Sequence, residues 1–338
     1  MHQTVRYALA CILFGAFGLL VLPAHSGPAH ALSPPSDSTT HRSPASPAQR
    51  IGPQIGVFVQ TVLHASQGHS SSAPEGFHVP RARLGAEGGV ESIAYEVEAD
   101  FADDVLLKDA WLAYRARPHL TLRAGQFKVP FSYSELVSSA ATDFVQRPRA
   151  ARRLSVGRRT GVDVGYRAWD ERMRFQGGVF SGETSLAEEW VAAARLTWAA
   201  PTRGVRSVVG ANAAYVRSAE GHGHARYGAD VRLTQGPAFL TAEALAAPGA
   251  PSDSEMGAYV TAGYALAEAH LVRAQWDYVS GAAPAAASEG PAPARSLIGI
   301  GYTLRLAAPL RVEVDYLAPP TADAFDERAV FINLQVSL

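Results

Sequence analysis

From residue 51 onward, apolar side chains recur at every second position in segments of about ten residues. A period of two belongs to an extended strand with one apolar and one polar face. Sixteen segments fit it: 51–63, 77–88, 91–101, 106–116, 118–127, 159–169, 172–182, 189–200, 205–217, 225–235, 237–247, 256–268, 270–280, 294–306, 308–317 and 328–338. In 310–316, Leu310, Val312, Val314 and Tyr316 form one face and Arg311, Glu313 and Asp315 the other. In 270–278, Val272, Ala274, Trp276 and Tyr278 oppose Arg273, Gln275 and Asp277. In 159–168, Val162, Val164 and Tyr166 oppose Asp163 and Arg167.

The links between segments alternate in length. Tight links fall at 89–90, 117, 170–171, 201–204, 236, 269 and 307, and longer ones at 64–76, 128–158, 183–188, 218–224, 248–255, 281–293 and 318–327. The link 102–105 is short where the alternation expects a long one. Tight periplasmic turns alternating with longer extracellular loops are how a bacterial barrel connects its strands. The pattern therefore predicts an all-β fold, a transmembrane antiparallel β-barrel of about sixteen strands over 51–338. Sixteen strands enclose more space than side chains can fill, so the polar face is expected to line water and the apolar face to meet lipid.

The N-terminal region is organised differently. Arg6 precedes an apolar run at 7–22, and Ala29-His30-Ala31 gives a small-x-small site. This reads as a cleaved signal peptide over 1–31. Residues 32–50, rich in Pro and Ser, read as a disordered periplasmic leader. No later run is long and apolar enough for a membrane helix. The single cysteine, Cys11, falls in the signal, so the mature chain is expected to carry no disulfide and no Cys-based metal site. The expected location is the outer membrane of a Gram-negative cell, in contact with its lipid.

Charge enters through its distribution rather than its sum. The formal net charge is −1, which gives no reason to expect a nucleic-acid partner. Lys108 and Lys128 are the only lysines. Arginines recur on the polar strand faces: Arg81, Arg83, Arg115, Arg123, Arg167, Arg174, Arg195, Arg232, Arg273, Arg305 and Arg311. Six more crowd one link: Arg147, Arg149, Arg152, Arg153, Arg158 and Arg159, with only Asp143 nearby in sequence. Fixed cations along a pore wall favour anions. Asp109, Asp163, Asp230, Asp277, Glu313 and Asp315 share the polar face, so the expected field is mixed. Lys128 either points into a constriction or extends along the loop root.

The motifs PRARLGAEG at 80–88, LLKDAWLAYR, LRAGQFKVPFS, the pair Ser138-Ser139, Phe144 with Arg147, and GRRTGV at 157–162 follow one another in order. Together they resemble the phosphate-selective porin O and P family, in motif detail over about 77–182. The resemblance implies a sixteen-stranded homotrimeric barrel that passes small anions, with the long third loop, 128–158, folded into the pore. By position it implies that Arg81 lines the pore, that Asp109 stands near the constriction and that Ser138 supplies a hydroxyl at the central anion site. Glu135 occupies a position where the family carries Lys or Arg. A general channel for small hydrophilic solutes therefore fits as well as a phosphate-selective one.

Other classes have weaker support. No GxSxG occurs, and His119 and His270 have no nearby serine in a catalytic spacing, so an enzyme is not expected. His222 and His224 lack a carboxylate partner in sequence, and neither metal nor cofactor is expected. A plugged structural barrel would need a plug segment before residue 51, and none is legible.

Overall fold

Alternation becomes sixteen antiparallel strands that close on themselves. The structure is a computed structural model, and it describes residues 52–67, 74–182, 189–200, 204–218, 222–249, 254–280, 296–320 and 328–338. The expected signal peptide and leader lie outside the described residues. The strands are β1 (Gln54–Gln67), β2 (Gly76–Val90), β3 (Ile93–Asp100), β4 (Leu107–Arg117), β5 (Leu120–Lys128), β6 (Arg158–Ala168), β7 (Met173–Ser181) and β8 (Trp190–Ala200). They continue as β9 (Arg206–Arg217), β10 (Gly223–Gln235), β11 (Ala238–Ala247), β12 (Glu255–Ala267), β13 (His270–Ser280), β14 (Ser296–Ala307), β15 (Leu310–Ala318) and β16 (Arg328–Ser337). Each pairs with its sequence neighbours, and β16 returns to β1. That closing ladder runs from Phe58 opposite Ser337 to Gln67 opposite Arg328. Closure leaves no sheet edge, which a membrane-spanning sheet requires.

Two-residue turns at 91–92, 118–119, 236–237, 268–269 and 308–309 lie at one end of the barrel. The four-residue link 169–172 lies at the same end, and the long link 129–157 starts from the other. The link that broke the alternation, six residues from 101 to 106, is short because Asp103 closes it. Its carboxylate accepts from the Val105 N–H at 3.0 Å and pairs with Lys108 at 2.8 Å. The Lys108 hydrogen bond holds the Asp103 carboxyl below its usual range.

The two faces separate as the alternation requires. Val162, Val164, Ile300, Ile332 and Leu334 are exposed on the outside, while Glu313, Asp315, Asp277 and Asn333 are buried on the inside. Aromatic pairs mark both rims of the apolar outer face. Trp169 and Trp198 meet at 5.2 Å toward the turn end, and Trp190 and Tyr215 at 5.5 Å toward the loop end. Such girdles suit the membrane–water interfaces.

One glycine shapes the barrel where the long link begins. Gly125 in β5 has φ +132°, and a Cβ there would collide with the Ala110 carbonyl and the Trp111 backbone of β4. Only glycine allows this approach.

Candidate functional site

Residues 129–157, between β5 and β6, turn back into the barrel and bind its inner wall. Ser132 starts the turn with φ 67°, a left-handed conformation for a residue with a side chain. It also caps the short helix α1 (Tyr133–Leu136), its hydroxyl accepting from the Glu135 N–H. Ser132 then brings successive N–H groups to one carboxylate on β11. Tyr133 N and Ser134 N donate to Glu243 at 2.6 and 3.1 Å, and the Ser132 hydroxyl donates to it at 3.2 Å. Farther along, Val145 N donates to Asp315 of β15 at 2.7 Å. At the start of helix α2 (Arg149–Leu154), Arg149 N and Ala150 N donate to Asp277 of β13 at 2.6 and 3.4 Å. Three alternate strands thus each present one carboxylate to loop amides, and a charged acceptor roughly doubles the strength of such a bond.

The loop's carbonyls are held by cations and an amide. Lys128 Nζ donates to the carbonyls of Glu135 and Val137 at 2.6 and 2.8 Å. Arg147 donates to the carbonyls of Ser134 and Val137. Arg226 of β10 donates to those of Leu154 and Ser155 at 3.0 and 2.7 Å, and Gln335 of β16 to that of Ala140 at 3.1 Å. Apolar contacts complete the seating. Val129, Phe131, Leu154 and Val156 pack with Phe127, Phe180 and Val191 at one side, and Val145 packs with Val62 and Phe331 at the other.

Apart from those of Lys128 at the end of β5, the polar contacts named between this strap and the wall fall on β9 to β16. In a closed ring of sixteen strands the arc β2–β4 faces β10–β12. On that facing arc stand Arg81 and Arg83. Arg83 is bound by Asp100 at 2.8 Å and Glu98 at 3.1 Å. Arg81 donates to the Gln60 side-chain oxygen and forms no ion pair among the described residues. It lies within electrostatic range of Arg83 and Arg147, and of Asp100 and Glu135.

Most other inner arginines are paired with the inner-face acids. Arg123 meets Asp163 at 2.6 Å and lies over the Phe127 ring at 3.6 Å. Arg158 meets Asp109 at 2.7 Å. Arg195 of β8 meets Asp230 of β10 at 2.7 Å across Gly210 of β9, where a Cβ would strike both partners. Arg273 meets Glu313 and Asp315 at 3.3 and 3.1 Å.

Four of the six arginines around the loop also find acids, Arg158 as above and Arg147, Arg149 and Arg153 as follows. Arg147 approaches Glu135 at 3.9 Å, Arg149 approaches Asp277 at 3.8 Å, and Arg153 binds Glu255 at 2.5 Å. Glu135, where a basic residue was expected, thus sets a carboxylate beside Arg147. Arg159 donates to the Arg158 carbonyl at 3.4 Å. Arg115 lies near the turn end of β4 and within range of Arg167, away from the loop. Ser138 is exposed and caps the 3-10 turn Ser139–Ala141 by accepting from Ala140 N at 3.3 Å, while Ser139 is buried.

The structure therefore brings Arg81, Arg83, Asp109, Lys128, Arg147 and Arg158 to the level of the loop. Burial raises the Asp143 carboxyl above its usual range, against the pull of Arg232, Arg273 and Arg311. Sequence reasoning missed the fastening role of Glu243, Asp277 and Asp315. In the sequence each shows only as an acid at an inner-face position of β11, β13 or β15.

A family profile described as phosphate-selective porin O and P matches residues 67–220. Solved structures share the fold at low identity. OmpF of Salmonella typhi, in complex with daunomycin, is 13% identical, covering 86% of this chain and 100% of that one with a TM-score of 0.59. The trimer form of in-vitro-folded OmpT of Vibrio cholerae is 13% identical, covering 85% and 99% with a TM-score of 0.56. A triple mutant of the Rhodopseudomonas blastica porin is 13% identical, covering 85% and 100% with a TM-score of 0.55. No curated protein matches the sequence significantly.

Proposed function

Taking the chain with the phosphate-selective porin O and P family, which its residues 67–220 match, we propose that it is an outer-membrane porin for passive diffusion of small anions. The observation that carries this reading is Arg81: a lumen-facing cation that meets an amide rather than a carboxylate, on the arc facing the loop. A fixed charge in a narrow, low-dielectric passage raises the local concentration of its counter-ions. The surrounding ion pairs cancel most of the remaining field, so the anion preference is modest. With two lysines in the chain and Glu135 beside Arg147, the solute class is small inorganic and organic anions, phosphate among them, without strong phosphate specificity.

In this reading the turn end faces the periplasm, Trp and Tyr girdles meet the headgroups, and the functional unit is a homotrimer, the form in which the structurally similar OmpT of Vibrio cholerae was described. The pore/anion-contacting set is Arg81, Arg83, Lys128, Arg147 and Ser138. Its proposed action is transport rather than catalysis.

Reconstitution in a planar bilayer under a potassium chloride gradient tests the reading. A reversal potential of anion sign is expected, with similar conductance in chloride and phosphate once mobility is allowed for. A potential of cation sign rejects the anion reading. A value near zero supports a general porin, the second reading that the dense ion pairing favours.

A further inference from the structure

The link between β6 and β7, residues 169–172, is built without glycine although three successive residues hold left-handed backbone. Trp169, Asp170 and Glu171 have φ of 50°, 54° and 65°. Such conformations cost on the order of 1 kcal/mol each or more, and persist where surrounding contacts over-determine them. Contacts on two sides do so here. Outside, Trp169 packs edge-on against Trp198. Inside, the Glu171 carboxylate reaches Arg167 at 3.2 Å and Arg174 at 3.9 Å.

Those two arginines are directly opposite each other in the β6–β7 ladder. Both point into the lumen, since Asp163 and Gln176 on the same faces bond to each other at 2.6 Å. Like charges directly opposite across two strands repel. Arg115 adds a third guanidinium within range of Arg167. Glu171, with its side chain 57% exposed, is the carboxylate that bridges the opposed pair. An exposed ion pair is weak and exchanges readily with dissolved anions.

We propose that Arg167 and Arg174 form an oxyanion site at the turn-end mouth of the lumen, which takes phosphate or a carboxylate in place of Glu171, the tethered competitor. The site is distinct from the loop level and deepens the porin reading by giving permeant anions a second station. The forked geometry of two guanidinium groups suits the several acceptor oxygens of phosphate.

The test uses the folded full chain in detergent micelles at low salt, titrated with inorganic phosphate and followed by calorimetry or phosphorus NMR line width. Glu171→Gln is expected to tighten phosphate binding about two- to fivefold, the range set by an exposed ion pair. Arg174→Gln is expected to weaken it by at least as much, and Arg152→Gln to leave it unchanged. Unchanged or weaker binding in Glu171→Gln overturns the proposal, as does an equal loss in Arg174→Gln and Arg152→Gln. Should Arg174→Gln fail to fold, the exposed Glu171→Gln substitution alone decides. Bilayer recordings of the same samples separate the two readings. Phosphate binding that responds to Glu171→Gln without any conductance keeps the site and removes the channel. Conductance with indifferent binding keeps the channel and removes the site.

Discussion

At the residue scale, what matters about an arginine in this lumen is its partner. Arg81 and Arg123 both face inward on the β2 and β5 walls, yet one meets Gln60 and the other meets Asp163. Arg81→Ala removes a cation without exposing an acid, so the anion-to-cation permeability ratio should fall roughly twofold. Arg123→Ala leaves Asp163 buried with Gln176 as its remaining side-chain partner among the described residues, and should shift the ratio further, toward cations. Arg152→Ala, on the exposed side of α2, should change little. Reversal potentials of the three variants check this, and equal shifts would contradict the pairing scheme. Glu243 is the residue on which the loop's first turn depends. Glu243→Gln keeps the shape but weakens three contacts, and should lower thermal stability by about 2 kcal/mol while adding conductance noise.

At the scale of elements, the sequence and the structure agree where a single period governs. All sixteen strands were legible, because a register slip of one residue would turn an entire face such as Val312–Val314–Tyr316 from lipid to lumen. The fastening of residues 129–157 was not legible. Its partners lie 110 residues away for Tyr133 with Glu243 and 170 for Val145 with Asp315, and no local pattern announces a contact of that range. The inward course of the loop rested on resemblance alone. Asp163 was read correctly as a lumen acid, but its bond to Arg123 requires the β5–β6 register, in which the two stand opposite. Gly125 is an element-scale feature too, since its φ bends β5 against β4 just before the loop. Gly125→Ala should cost at least about 2 kcal/mol and slow barrel refolding, measured by the heat-dependent shift in electrophoretic mobility.

At the scale of the whole molecule, the outer surface has its own requirement. Ile300, in the middle of β14, is 64% exposed and faces the medium that must be hydrocarbon if the chain is a membrane barrel. Ile300→Arg should then destabilise the protein in lipid vesicles by about 2–4 kcal/mol. A similar stability for Ile300→Arg and wild type in vesicles would place that face in water.

The three carboxylates that seat the loop stand on separate strands and serve separate stretches of it. A strap riveted at three places is tolerant of a single failure. Loss of Glu243, Asp277 or Asp315 alone should give partial, flickering sublevels, with the bore widening fully only when all three are neutralised together. Recordings of the single and triple amide variants would show this as a sum far smaller than the combined effect.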